Sequence, residues 1–360
     1  MKILVAAGAS GGHIFPAVSF IRALQDKHKG VETLLVLASR SIESGIPLED
    51  YKVRYISIPR INRKFSSGTF IALAKLLKGT WESLDIIVEF KPDIVVGFGG
   101  LDCIPCLFFA WLFRIKTLIH EQNVLPGRAN RLLARLVDRV AVSFGRTKDY
   151  LSIDPVKIRI TGNPLRRQLK KIAKDEALGF FNLPRNKLTL LVMGGSQGSQ
   201  HLNMEFLKAM ALLKDTSRLQ VIHLAGLGSY EEVRQAYSQV KIEARVFGFF
   251  SAMEQAYSAA DLVIARSGAT TVAELAFFGL PAIISPYPYA YNHQLENARV
   301  LEEKGCAVVI DDAELDKDIF RQTLDALIND PARIEAMRSG FKGLANPDAA
   351  VLLAEAALSL

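Results

Sequence analysis

The chain has 360 residues, of which half are hydrophobic and 22% are charged. This length suits two domains, and the composition excludes a disordered or fibrous protein. The formal net charge of +7 indicates an anionic partner, but does not by itself distinguish a membrane surface, a nucleic acid and a phosphorylated substrate.

The cysteines and the apolar runs bear on cellular location. Three cysteines, an odd number in a long chain, argue against a disulfide scaffold and favour a reducing compartment. The apolar run at residues 3–7 is too short for the core of a signal peptide, and the run at residues 103–113 is too short to span a bilayer. We therefore expect a cytoplasmic protein without a transmembrane segment.

Short apolar segments alternate along the chain with longer helical patterns. Most of these segments are continuously apolar, which is typical of parallel strands that helices cover on both faces. The pattern predicts an α/β fold with doubly wound parallel sheets. The predicted strands are residues 2–8, 33–39, 53–59, 93–99, 116–122, 139–144, 158–163, 188–196, 220–226, 244–249, 261–268, 281–288 and 306–311.

The strand series starts twice. The first strand is followed by the glycine loop "AGASGGH", and a second series begins near Leu188 with the loop "MGGSQGSQ". We therefore predict two Rossmann-like domains, at residues 1–165 and 166–345. A final apolar helix is predicted at residues 346–360, where an asparagine cap precedes an early proline.

Each glycine loop joins the carboxyl end of a strand to the amino end of a helix. Free backbone N–H groups and the helix dipole favour an anion there, and a pyrophosphate fits best. Neither loop matches the dinucleotide fingerprint or the P-loop, so NAD and P-loop functions lose their main support. The alternative is that the glycines only form tight turns, but two loops at equivalent places favour phosphate binding.

Seven segments of the chain occur in the order found in the MurG family, and the chain resembles that family over essentially its whole length. This family comprises the membrane-associated N-acetylglucosaminyltransferases of peptidoglycan synthesis. The segments are "AGASGGHIFPA", "GFGG", "HEQNVLPGRANRLLAR", "GNPLR", "MGGSQGS", "RSGATTVAEL" and "NHQLENA".

The resemblance implies a GT-B glycosyltransferase fold, in which two Rossmann-like domains face each other across a cleft and the last helix returns to the first domain. The implied reaction transfers N-acetylglucosamine, with inversion, from UDP-GlcNAc to the 4-hydroxyl of the MurNAc unit of undecaprenyl-pyrophosphoryl-MurNAc-pentapeptide, converting lipid I to lipid II. No cofactor, metal or nucleic acid is implied. The expected location is peripheral, at the cytoplasmic face of the plasma membrane and alongside other cell-wall synthesis proteins.

The resemblance also assigns site residues. His13 is the candidate catalytic base, because histidine titrates near cytoplasmic pH; the alternative is that it shapes its loop or holds a phosphate. Glu274 is the candidate ribose ligand; the alternative is an exposed glutamate on the surface of a helix. Gly99 and Gly100 form the candidate acceptor loop. The remaining candidate substrate-binding residues are Ser10, Gly11, Gly12, Asn123, Arg166, Ser196, Phe250, Ala269, Thr270, Thr271, Val272, Ala273, His293 and Gln294.

Residues 60–81 mix cations with large apolar side chains. This composition is typical of an interfacial amphipathic segment, in which apolar side chains enter the lipid boundary and cations meet anionic lipid. The alternative is a helix packed on its own domain. The candidate membrane-contacting residues are Phe70, Leu73, Leu77 and Trp81.

Two segments need separate interpretation. After "GFGG" the family usually continues with an aromatic residue and small residues, whereas this chain has Leu101, Asp102, Cys103 and Ile104, which places a negative charge in the predicted acceptor loop. The spacing Cys103–Cys106 matches a redox motif, although the surrounding segments disfavour thiol chemistry. The acidic run from Asp311 is expected to be a solvated turn and not a metal site.

The sequence is also compatible with two other classes of protein. One is a related GT-B enzyme, such as a glycosyltransferase with another lipid acceptor or a UDP-GlcNAc 2-epimerase. The other is a non-catalytic subunit that binds a nucleotide sugar. All three would share the donor site, so only an assay of donor and acceptor distinguishes them.

Overall fold

The computed structural model describes residues 1–39, 48–59, 68–195, 198–240, 242–288 and 292–360, with the backbone only of residues 68–71. These residues form two compact units. Unit 1 comprises Met1–Arg166 and Asn346–Leu360, and unit 2 comprises Arg167–Ala345.

Unit 1 is built on a sheet of seven parallel strands in the order β3-β2-β1-β4-β5-β6-β7. The strands are β1 (Lys2–Ala7), β2 (Glu32–Ala38), β3 (Val53–Ile56), β4 (Ile94–Gly97), β5 (Lys116–Glu121), β6 (Arg139–Val142) and β7 (Ile158–Ile160). The helices are α1 (Gly11–Lys27), α2 (Gly68–Phe90), α3 (Ile104–Leu112), α4 (Arg128–Leu133) and, from the end of the chain, α13 (Ala349–Leu358).

The first strand shows why the apolar runs are continuous. Leu4 and Ala6 belong to the core on one face of the sheet, whereas Ile3 and Val5 belong to the core on the other face. Because side chains alternate along a strand, a sheet covered on both faces requires apolar residues at successive positions.

Unit 2 repeats this design with six parallel strands in the order β10-β9-β8-β11-β12-β13. The strands are β8 (Leu188–Met193), β9 (Leu219–Leu224), β10 (Glu243–Phe247), β11 (Leu262–Ala265), β12 (Ala282–Ile284) and β13 (Ala307–Val309). The helices are α5 (Lys174–Phe180), α6 (Gln200–Ala211), α7 (Tyr230–Tyr237), α8 (Met253–Ala259), α9 (Ala269–Phe278), α10 (His293–Glu302), α11 (Lys317–Ile328) and α12 (Pro331–Ser339). The doubly wound α/β fold predicted from the sequence is confirmed.

Each sheet has a point where the strand order reverses. In unit 1 the reversal lies between β1 and β4, and in unit 2 it lies between β8 and β11. The loops that leave the carboxyl ends of such strand pairs diverge to opposite faces and open a crevice, which is where ligands of this fold class bind. The topology thus predicts ligand binding at two pairs of loops, one after β1 and β4 and the other after β8 and β11.

The last helix differs from its prediction. It begins at Ala349 instead of residue 346, and Asp348 occupies the capping position. Asn346 does not cap the helix; its side-chain amide donates to the carbonyl oxygen of Thr161 at 2.9 Å. This bond fastens the returning chain to the end of β7.

No helix in the part of the chain that the structure describes is long and apolar enough to cross a membrane.

Candidate active site

The first glycine loop connects β1 to α1 at the crevice of unit 1. Ser10 is the capping residue of α1, and Gly11 and Gly12 form its first two positions. Although Ser10 occupies the N-cap position, its hydroxyl makes no hydrogen bond to the backbone of the helix. It lies 3.0 Å from Nδ1 of His13 instead. The amino end of α1 therefore presents backbone N–H groups and one imidazole on the same turn.

Glycines enclose the His13 ring from two sides. A Cβ atom at Gly8 would lie only 2.6 Å from Nδ1 of His13, and one at Gly99 would lie 3.3 Å from Nε2. Gly99 and Gly100 also have positive φ angles of 81° and 83°, which side chains disfavour. The loops after β1 and β4 thus meet around His13, and the predicted acceptor loop adjoins the predicted base.

Burial controls the charge state of the histidines in this region. Desolvation lowers the pKa of His13, while the nearby carboxylates of Glu121 and Asp102 act to raise it. Burial also lowers the pKa of His120 to about 4. Nε2 of His120 donates to the carbonyl oxygen of Gly162 at 3.0 Å, so this imidazole is neutral and structural.

Glu121 organises the loop that carries Asn123. Its carboxylate accepts from the backbone N–H and side-chain amide of Asn123 at 2.9 and 3.1 Å. It also accepts from the N–H of Gly127 at 3.0 Å and from the amide of Asn130 at 2.8 Å. Because Glu121 is buried and accepts four hydrogen bonds, it fixes the loop that presents Asn123.

The segment after Gly100 is a 3-10 turn, Leu101–Cys103, whose polar side chains face inward. Asp102 is 2% exposed, and its Oδ2 accepts from the backbone N–H of Ala9 at 3.1 Å. The carboxylate lies in the predicted acceptor loop, as expected, but it is buried and bonded to the first glycine loop. Burial raises the pKa of Cys103 well above its usual value and that of Cys106 to about 11, so neither thiol is activated.

Arg166 lies in unit 1, at the end of the "GNPLR" segment. Its guanidinium lies over the ring of Phe15 on α1, 4.7 Å from the ring centre. This contact places a permanent cation beside the first glycine loop.

The second glycine loop follows β8 at the crevice of unit 2. Its Ser196 lies outside the described residues. Ser199 caps α6, and its hydroxyl accepts from the guanidinium of Arg266 at 2.8 Å.

Arg266 is a buried organising residue that the sequence reasoning missed. It donates to the carbonyl oxygen and the hydroxyl of Ser285, both at 3.0 Å, and forms an ion pair with Asp312. The expectation that the acidic run is a solvated turn is therefore wrong for Asp312. Arg266 lies in the loop after β11 and joins it to the loops after β8, β12 and β13, because Ser199, Ser285 and Asp312 are its acceptors.

The amino end of α9 faces the same crevice. Gly268 caps this helix, and the hydroxyl of Thr270 is buried with no hydrogen-bond partner among the residues that the structure describes. A helix amino end with an unsatisfied buried hydroxyl is suited to an anionic group. The first two turns of α9 contain the predicted residues Ala269, Thr270, Thr271, Val272, Ala273 and Glu274.

Glu274 is 4% exposed and accepts from the hydroxyl of Tyr257 at 2.7 Å. Tyr257 is itself held by stacking on Phe278, with ring centres 5.0 Å apart. The alternative of an exposed helix glutamate is thus inconsistent with the structure, because the carboxylate is buried and oriented.

Gln294 joins two loops. Its side-chain oxygen accepts from the backbone N–H of Ser267 at 3.2 Å and of Tyr287 at 2.9 Å. A sugar contact through Gln294 would therefore use the amide NH₂ group. The neighbouring His293 is the first residue of α10.

The side chain of Phe250 packs in an aromatic cluster with Phe247 and Phe181, at centroid distances of 4.8 and 5.4 Å. Its side chain is therefore part of a packed aromatic cluster.

No group of three or more metal-ligating side chains occurs within the described ranges of the chain.

Comparison with known proteins bears on both units. Residues 3–142 match the N-terminal domain of glycosyltransferase family 28, and residues 189–353 match its C-terminal domain. The chain belongs to glycosyltransferase family 28. The resemblance found in the sequence segments is thereby confirmed.

Relatives within family 28 match along nearly the full chain. A protein of Halothermothrix orenii is 37% identical and covers 96% of this chain and 95% of its own length. It is named UDP-N-acetylglucosamine–N-acetylmuramyl-(pentapeptide) pyrophosphoryl-undecaprenol N-acetylglucosamine transferase. A protein of Listeria monocytogenes with the same name is 35% identical, covering 100% of this chain and 99% of its own length.

Solved structures place this family 28 chain among GT-B proteins. MurG of Acinetobacter baumannii is 27% identical with a TM-score of 0.77, and the match covers 100% of both chains. A UDP-GlcNAc 2-epimerase from Neisseria meningitidis has a TM-score of 0.71 at 16% identity, again over 100% of both chains. The second likeness shows the fold alone.

Proposed function

We propose that this family 28 glycosyltransferase transfers N-acetylglucosamine from UDP-GlcNAc to the 4-hydroxyl of the MurNAc unit of undecaprenyl-pyrophosphoryl-MurNAc-pentapeptide. The observation that carries the proposal is the 37% identity, over 96% of the chain, to a transferase named for these substrates. The two loop pairs at the strand-order reversals supply the groups that such a reaction requires.

Unit 2 binds the donor in this proposal. The amino end of α9 and the hydroxyl of Thr270 receive the diphosphate, whose charge rises as the sugar leaves. Glu274 accepts hydrogen bonds from the ribose hydroxyls, and the hydrogen bond from Tyr257 orients its carboxylate for this role. The amide of Gln294 and the side chain of His293 bind the sugar, and the backbone at Phe250 meets the uracil.

Unit 1 activates the acceptor. His13 takes the proton of the 4-hydroxyl as that oxygen attacks the anomeric carbon, and UDP departs from the opposite face with the bonding electron pair. The chain thereby inverts the anomeric configuration. If Nδ1–H of His13 donates to Ser10, Nε2 carries the lone pair that accepts the proton. Asn123 and Arg166 provide further polar contacts.

The direct test is incubation of the full chain with UDP-GlcNAc and a lipid I analogue. We expect a β-linked disaccharide lipid and one UDP per transfer, with little turnover of UDP-glucose in parallel reactions. Conversion of UDP-GlcNAc to UDP-ManNAc without an acceptor would instead identify an epimerase. Donor binding with neither product would indicate a non-catalytic subunit.

Membrane attachment is part of the proposal. The side chains of Leu73, Leu77 and Trp81 on α2 are 54%, 58% and 71% exposed, among the exposed cations Lys75 and Lys78. The side chain of Phe70 lies outside the described residues. The adjoining helix α3 and its end add four more exposed apolar residues, Phe108, Trp111, Leu112 and Phe113. We propose that this apolar surface places the chain at the cytoplasmic face of the plasma membrane, near other cell-wall synthesis proteins.

We expect the triple replacement of Leu73, Leu77 and Trp81 by glutamine to weaken binding to anionic liposomes by roughly tenfold or more. Each of these side chains contributes about 1 kcal/mol or more when it is buried in the lipid. Liposome flotation measures the effect. High salt should weaken the wild type through screening. Val156→Gln, which removes an exposed apolar side chain elsewhere in unit 1, is the matched control. Unchanged flotation of the triple variant would rule out this surface.

A further inference from the structure

The connection between the two loops of unit 1 rests on two consecutive side chains. Asp102 accepts from the backbone N–H of Ala9, in the first glycine loop. The thiol of Cys103 donates to the carbonyl oxygen of Ala6, at 3.1 Å, and to that of Gly99, at 2.8 Å. Asp102, 93 positions after Ala9, is thereby bonded directly to the loop that leads into His13.

The packing transmits any movement of this loop to His13. Gly8 precedes Ala9, and a Cβ atom at Gly8 would already collide with the imidazole at 2.6 Å. A Cβ atom at Gly100, on the other side, would lie 3.0 Å from the Cα atom of Gly8. Only glycine fits at these positions beside the ring, and the hydrogen bond from Ala9 to Asp102 ties this closely packed loop to the 3-10 turn.

Asp102 also contributes charge. The half-buried His13 ring faces two carboxylates, Asp102 from the 3-10 turn and Glu121 from the end of β5, and the imidazole of His120. Desolvation lowers the pKa of His13, and both carboxylates oppose this shift. Glu121 is engaged with four donors of its own loop, whereas Asp102 is bound to the loop of His13 itself.

We propose that Asp102 is a positioning residue for His13, which holds the first glycine loop in register and stabilises the protonated imidazole that forms when the acceptor loses its proton. This inference rests on the proposed function, in which His13 is the base. Asp102 acts through Ala9 and through its charge, and touches no substrate.

Two substitutions separate the two effects. Asp102→Asn keeps an oxygen that accepts from Ala9 but removes the charge. We expect it to shift the titration of His13, followed by NMR of the imidazole, to lower pH by roughly 0.5 to 1 unit. The acidic limb of the kcat profile should move by the same amount and in the same direction, because the neutral imidazole then persists to lower pH. Asp102→Ala removes both effects and should lower kcat roughly 10- to 100-fold at neutral pH through misplacement of the base.

Asp149→Asn, at an exposed carboxylate of unit 1, is the control for the change in net charge. Coincident His13 titrations in Asp102→Asn and wild type would overturn the electrostatic role, and normal kcat in Asp102→Ala would overturn the positioning role. A purely structural Asp102 would change thermal stability in both variants but leave the titration unmoved. The NMR titration needs no turnover, so it tests the inference even if the wild type fails to transfer N-acetylglucosamine.

Discussion

Replacing His13 by alanine is expected to lower kcat roughly 10²- to 10⁴-fold and to leave the Kd for UDP nearly unchanged. The acceptor hydroxyl then has no base, whereas Thr270, Glu274 and the backbone at Phe250, which are proposed to hold the diphosphate, ribose and uracil, are unchanged in unit 2. Because desolvation lowers the pKa of His13, its imidazole is neutral at cytoplasmic pH, and the acidic limb of the wild-type profile should lie below about pH 6.5. That limb should vanish in the variant.

The measurement is kcat against pH, together with calorimetric titration of UDP. His28→Ala, at an exposed histidine that follows α1, is the matched control and should behave as the wild type. Near-normal kcat in His13→Ala would leave the base unidentified. An equal loss of UDP affinity would assign His13 to phosphate binding instead of proton transfer.

Replacing Glu274 by alanine is expected to weaken UDP binding by about 1 to 3 kcal/mol, through loss of charge-assisted hydrogen bonds to the ribose. The Tyr257 hydroxyl would also lose the Glu274 carboxylate to which it donates, so the variant should be less stable. Circular dichroism must therefore show that the variant is folded. Tyr257→Phe keeps the carboxylate but removes its support, and should have a smaller effect on UDP affinity.

Calorimetry with UDP and with UDP-GlcNAc measures both variants. Glu335→Ala, at an exposed glutamate of α12, controls for the loss of one negative charge in unit 2. An unchanged Kd for UDP in a folded Glu274→Ala protein would remove Glu274 from the donor site.

Strands and loops could be predicted because the physical causes are local. Two-sided burial requires continuous apolar runs such as residues 3–7, and the glycines at the two crevices follow directly on β1 and β8. The glycine loops therefore indicated where both candidate crevices lie.

Partners distant in sequence could not be predicted in this way. Arg266 pairs with Asp312, 46 positions later. An acidic run is typical of a solvated surface, and the sequence alone does not show that the fold places Asp312 beside a buried cation. The burial of Asp102 could not be predicted either, because a sequence does not reveal that a 3-10 turn points this side chain at Ala9. The start of the last helix was misplaced because Asn346 bonds to Thr161 instead of capping the helix.

The return of the chain to unit 1 has a consequence for synthesis on the ribosome. Leu353, Ala354 and Ala357 of α13 belong to the core that also contains Ile3 and Val5 of β1. Every strand and helix of unit 2 is translated before α13, so unit 2 can complete its core while the hydrophobic surface beneath α13 is still uncovered. The core of unit 1, which carries His13, therefore cannot be completed until α13 has been synthesised and packs against it.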